Sequence, residues 1–223
     1  MKGTSTKIRL ASTTFMLAFL AIVAIGFLGG TTAAAPVTSC GEINQSGVHT
    51  VQNFTVNGTG YGCVSITADD VELDLNGAEI DANESYTSGV YVDSDNVTVR
   101  NGTLLNFTTY GIDPSGYHTG LRVESVHLGG NSYGFHSWHP NDLTLDSVSI
   151  EENEMGGIFI RNSSSTTIVN SSLQWNADTD GTDSAVDIAQ SSNIHIENTT
   201  IHQTGVYDPF TGIFTVPGYR GRA

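Results

Sequence analysis

Residues 89–112 read GVYVDSDNVTVRNGTLLNFTTYGI, a stretch that opens and closes on glycine followed by an aliphatic residue. The opening mark recurs along the chain: GVYV at 89, GIDP at 111, GFHS at 134, GIFI at 157, AVDI at 185 and GIFT at 212, in steps of 22, 23, 23, 28 and 27. A second mark falls inside every step: VTVRNGTL from 97, LRVESVHL from 121, LTLDSVSI from 143, TTIVNSSL from 166 and IHIENTTI from 194. VELDLNGAEI from 71 is a longer first version. Self-similarity at a period of this size is the signature of a solenoid.

The texture of the repeat selects the solenoid. Apolar residues alternate at period two in short β-branched runs, which is the pattern of strands and not of helices. Three short strands per coil, stacked ~4.8 Å apart, predict an all-β, right-handed parallel β-helix of about 22–28 residues per coil. Val90, Ile112, Phe135, Ile158, Val186 and Ile213 are expected to form one inward stack, and Leu104, Leu128, Ile150, Leu173 and Ile201 another. The glycine that opens each coil is expected to permit a tight corner. Asn101, Ser125, Ser147, Asn170 and Asn198 share a register at a bend, where their side chains are expected to bond from coil to coil and satisfy interior backbone groups.

Outward from the repeat, residues 1–35 have a different character. Lys2, Lys7 and Arg9 precede an apolar run from Phe15 to Leu28 and then small residues. That order is read as a secretory signal peptide, the alternative being a retained anchor. Residues 36–61 are assigned to an N-terminal cap, 62–216 to the coils and 217–223 to a short tail. The last coil starts and stops at Pro217 and Gly218. An exposed rung there is expected to meet a partner, a second copy or further chain.

Beyond residue 35 the chain has five basic residues against all 23 acidic ones, a net charge of 5 − 23 = −18. Such a surface makes nucleic acid and anionic membranes poor partners, and no nucleic-acid partner is expected. Its lack of lysine resembles proteins of salt-loving archaea. The two cysteines, Cys40 and Cys63, are expected to form one disulfide in an exported chain, stabilising it by about 3 kcal/mol through loop closure. Ten Asn-X-Ser/Thr sequons are present. Asn53, Asn57, Asn83 and Asn162 fall in expected exposed turns and are the candidate glycan acceptors. Asn101, Asn170 and Asn198, in the bend ladder, are expected to be poor ones.

The opening of the chain carries a resemblance. Cys40 with SGVHTVQNFTVNGTGYGC, VSITADDVELDLNGAEIDA and GVYVDSDNVTVRNGTLLNF resembles NosD-type right-handed β-helix proteins, part of the wider pectate-lyase-like collection with many archaeal surface members. The resemblance covers roughly residues 40–212. It implies the fold more than any chemistry, because the matching residues are structural. Members implied by it range from carbohydrate-binding and carbohydrate-processing proteins to copper-site maturation factors. A copper role is disfavoured here, since only Met155 follows residue 35 and both cysteines are expected to be bonded. The paired aspartates, histidine and Arg-X-Lys of polygalacturonase-like enzymes are absent.

Candidate sites remain. Asp113 and His136 fall in one outward column, between Tyr91 and Phe159, on neighbouring coils, the arrangement of an acid–base dyad or of two metal ligands. Arg122 has Thr98 and Thr144 as column neighbours, so no acid in its column claims it, and it is the candidate base of a lyase. Arg100 and Glu124 are expected to pair across coils. NADTDGTDSAVD places Asn176, Asp178, Asp180 and Asp187 at the spacing of a calcium loop, Ca²⁺ being the one cofactor suggested. The leading expectation is an exported cell-surface module, structural or carbohydrate-binding, with a polysaccharide or another surface component as partner. The alternative is a polysaccharide lyase, hydrolase or epimerase using Asp113, Arg122 and His136.

Overall fold

A computed structural model describes residues 35–114, 116–177 and 184–202. The expected signal segment, the tail, Ile213, Asp178 and Asp180 lie outside the described residues. Among those residues there is no helix, and the chain winds through about six turns of a parallel β-helix. In chain order the strands are β1 (Gly41–Ile43) and β2 (Gly47–Thr50), then β3 (Gly60–Ile66), β4 (Val71–Asp74) and β5 (Glu79–Asp81). The next coils are β6 (Tyr86–Val92) with β7 (Thr98–Leu105), and β8 (Tyr110–Pro114) with β9 (Arg122–Gly129). Then follow β10 (Tyr133–Trp138), β11 (Leu143–Asp146) and β12 (Ser149–Glu151), and β13 (Gly156–Arg161), β14 (Thr166–Val169) and β15 (Ser172–Gln174). The last described coil is β16 (Ser184–Ala189), β17 (Ile194–Glu197) and β18 (Thr200–His202).

β1, β3, β6, β8, β10, β13 and β16 form one parallel face. The remaining strands form two further faces, which β7 and β9 join by running through the bend between them. The repeat register is the one the marks predict. Val90, Ile112, Phe135, Ile158 and Val186 are successive partners, as are Leu104, Leu128, Ile150, Leu173 and Ile201. The first stack and its neighbours fill one continuous apolar core, with Val186 partly buried against its end. Burying each such side chain contributes about 1.5–3 kcal/mol.

Three details differ from the sequence expectation. The solenoid starts earlier: β1 and β2, inside the region assigned to a cap, already pair in register with β3 and β4. Their strands are too short to show alternation, which hid them. The repeat glycines are not turn glycines. A Cβ on Gly89, Gly111, Gly134 or Gly157 would lie 2.6–2.9 Å from the carbonyl oxygen of the matching residue one coil on. They are conformationally ordinary and exist to let coils approach.

The corners are made mostly by non-glycine residues with left-handed backbone, chiefly Asn, which with Asp tolerates that region best after glycine, joined by Gly77, Gly120 and Gly130. At the bend between the second and third faces these are Asn76, Asn101, Ser125, Ser147, Asn170 and Asn198, with φ from 49° to 59°. Their side chains do bond across coils, but at the surface. Asn101 and Asn170 donate to Asp74 and Asp146 at 3.2 and 3.0 Å, and Asn198 donates to Asn170 at 2.8 Å. The interior ladder is a different one, Asn131, Asn153 and Asn176, each at most 2 % exposed. Asn153 Nδ2 donates to Asn176 Oδ1 at 2.8 Å, Asn131 Nδ2 to Asn153 Oδ1 at 3.0 Å, and the Phe107 amide to Asn131 Oδ1 at 2.9 Å. The Cys40–Cys63 disulfide is present and ties the first coil to β3.

Candidate functional site

On the outer surface of the first face, one column runs Ser65, Tyr91, Asp113, His136, Phe159, Asp187. Strand alternation points these residues out of the core, and parallel pairing sets them one above another. Asp113 and His136 therefore meet: His136 Nδ1 lies 3.3 Å from Asp113 Oδ1. Asp113 is nonetheless only 3 % exposed. Tyr61 reaches down across Tyr91, packed edge-to-face at 5.0 Å, and its hydroxyl donates to Asp113 Oδ2 at 2.7 Å.

The histidine is held on all sides. Trp138, two residues on, donates its indole N–H to His136 Nε2 at 3.1 Å. An indole can only donate, so Nε2 is the accepting nitrogen and the ring hydrogen sits on Nδ1, facing Asp113. The His136 ring stacks between Tyr110, at 4.4 Å and 20°, and Phe159, at 5.0 Å and 17°. Arg161 caps Phe159 at 4.0 Å and is paired with Asp187. Burial first, and then the hydrogen bond to Asp113, push the Tyr61 hydroxyl pKa up, and burial with the Asp113 charge raises that of Tyr110. Both phenols thus stay protonated through neutral pH, and Tyr61 stays a donor.

The other sequence candidates do not join this pair. Arg122 lies on β9, in the adjoining sheet, and is claimed by Glu124 two residues on, with Nε···Oε1 2.8 Å. Its column neighbours are Thr98 and Thr144, as expected; a side chain two residues along the same strand was the partner overlooked. Arg100, opposite Glu124 in register, turns to Glu72 and Asp74 instead. Of the calcium candidates, Asn176 is an interior rung whose Oδ1 accepts from Asn153 and whose Nδ2 donates to Ile150 at 2.7 Å. Asp187 pairs with Arg161, and Asp178 and Asp180 lie outside the described residues. Among the sequons, Asn53, Asn57 and Asn83 are exposed and Asn162 is half-buried at a corner.

A coherent aromatic surface surrounds the pair, and the sequence reading had only part of it. Tyr61 is 53 %, Trp138 44 % and Tyr117 80 % exposed. Trp138 adjoins the His139 ring at 6.4 Å, and Tyr117 stacks on His139 at 4.3 Å and 19°. Tyr61 and Tyr117 lie outside the quoted marks, so only the fold shows that they border the same face.

The family described as "Right handed beta helix region" matches residues 88–219, more than half of the chain. The chain belongs to the right-handed β-helix family. Comparison with curated proteins and with solved structures returns no match. The β-helix thus has its architecture assigned twice, by its own coils and by family. Its chemistry rests on the residues of the first face alone.

Proposed function

We propose that this β-helix is an exported surface module that binds carbohydrate across the outer face of its first sheet. The observation that carries the reading is the run of exposed rings, Tyr61, Trp138 and Tyr117, flanking a nearly buried Asp113–His136 pair. Aromatic faces give sugars flat apolar contact, and a few fixed polar groups at their edge give direction. The NosD-like resemblance, the disulfide and the acidic composition, lysine-free beyond residue 35, are consistent with a surface protein of a salt-loving archaeon.

An enzymatic reading draws on the same Asp113–His136 contact. It requires His136 Nε2 to exchange its Trp138 donor for substrate before the ring can move a proton, and it lacks Arg122. Binding needs no such exchange, so it is the stronger reading. The test is equilibrium binding of the folded protein to soluble polysaccharides in high salt, with reducing ends and unsaturated ends assayed in parallel. Trp138→Ala is expected to weaken binding about tenfold, the loss of about 1.4 kcal/mol of ring contact. Unchanged affinity in that variant would remove the aromatic surface from the argument. Product release abolished by Asp113→Asn would establish the enzymatic reading instead.

A further inference from the structure

Among the described residues, the corner between the first and second faces that leads into β9 includes residues 116–121. This loop folds over the next corner. Thr119 bridges Asn141 in parallel, the Asn141 amide donates to the His118 carbonyl at 2.8 Å, and the Gly120 amide donates to the Asn141 carbonyl at 2.9 Å. Below it, His139 and Asn162 occupy equivalent left-handed corner positions, with φ 58° and 55°, that turn their side chains away from the core. The result is a cavity of about 250 Å³. It is smaller than the pockets that hold drug-sized molecules, about 300–1,000 Å³, and suits one small ring.

Its lining has a definite chemistry. The stacked pair Tyr117 and His139 forms one wall; Thr119 and Asn162 supply hydroxyl and amide groups, and the Ser164 hydroxyl donates to Asn141 Oδ1, which leaves the Asn141 amide N–H and the Ser164 lone pairs. No carboxylate or guanidinium lines it. His118 is also present, but its two nitrogens face carboxylates of the preceding coil, Asp93 at 3.6 Å and Asp95 at 3.9 Å. The wider surface is equally short of anion-binding groups. All three arginines among the described residues are paired, Arg100 with Glu72 and Asp74, Arg122 with Glu124 and Arg161 with Asp187. Neither lysine lies among the described residues.

From this we infer that the corner cavity is a subsite for a single uncharged sugar ring, and that the glycan bound by this β-helix is neutral. The inference rests on the carbohydrate-binding reading and makes it specific. The cavity continues the strip that ends at Trp138, because the His139 ring is shared between Trp138 on one side and Tyr117 on the other. A neutral pyranose offers hydroxyls to the amide and hydroxyl wall and its C–H face to the rings. A uronate polymer brings a carboxylate to each residue, against a chain of net charge −18 beyond residue 35, with no unpaired arginine among the described residues to receive it.

The test uses protein from the bacterial periplasm, so that the Asn162 sequon carries no glycan. Binding of galactomannan and hydroxyethyl cellulose is compared with that of polygalacturonate and hyaluronate, each with calcium and with chelator. Tyr117→Ala, at a residue 80 % exposed, and Asn162→Gln are measured beside Trp138→Ala, with thermal melts to confirm folding. The expected result is that a neutral polymer binds, that Tyr117→Ala and Asn162→Gln each weaken it about fivefold or more, and that uronates bind at least tenfold more weakly. Failure of every polymer to bind would overturn the carbohydrate reading itself. A neutral polymer lost in Trp138→Ala but unaffected by both corner variants would leave that reading standing and overturn the subsite. Uronate binding equal to or tighter than neutral binding would overturn the neutral-glycan assignment.

Discussion

At Gly134, a hypothetical Cβ meets Ile150 Cγ2 at 2.4 Å, the Gly157 carbonyl oxygen at 2.9 Å and Asn153 Nδ2 at 3.1 Å. Backbone and an interior amide cannot swing aside as a surface side chain can. Gly134→Ala is therefore expected to cost about 3 kcal/mol, the upper end of overpacking penalties. Gly77, at φ +75° with no atom within 4 Å, makes the control: Gly77→Ala is expected to cost about 1 kcal/mol of left-handed strain. Denaturant unfolding of the two variants checks the order, and equal losses would mean the glycine ladder is not a packing device. The glycine period was plain in the sequence, yet its reason was not. Turn glycine and close-approach glycine look alike until the neighbouring coil is in place.

The corner ladders are the element-scale counterpart. Asn131, Asn153 and Asn176 recur at steps of 22 and 23, the period of the repeat itself, so the signal for them was present. By spacing alone Asn176 reads as a cation ligand, because sequence does not say which side of the chain faces inward at a corner. Asn153 bonds both neighbouring rungs and the carbonyls of Leu128 and Glu151, each at 3.1 Å. Asn153→Ala would leave several buried groups unpaired, each costing about 1–3 kcal/mol, for an expected loss of about 3 kcal/mol. Asn170→Ala, at the exposed bend, is expected to cost less than about 1 kcal/mol because water replaces its bond. Thermal or urea unfolding distinguishes them, and a comparable loss at Asn170 would make the outer ladder the structural one. Strand faces, by contrast, were legible wherever a strand is long enough to alternate; β1 and β2 are not, and Ile201, on the last described coil, is 37 % exposed despite its inward register.

For the whole molecule, charge and topology act together. Three paired arginines serve a described surface crowded with Asp and Glu, so self-repulsion opposes the folded state until salt screens it. Melting temperature is expected to rise by several degrees between low salt and molar sodium chloride. A flat response would mean that the acidity does not limit stability. The sequence by itself determined the strands, their period, their parallel stacking, the disulfide pair and the sign of the surface, because each follows from local alternation, spacing or composition. The neighbourhood of Asp113 and His136 was legible as well, since both occupy the same register of adjacent coils. Only the tertiary structure decided that Tyr61 covers Asp113 from two coils away, that Glu124 takes Arg122, and that Tyr117 stacks on His139 beside an open cavity. Those outcomes depend on where long side chains and a corner loop come to rest across coils, and a one-dimensional period carries no information about that.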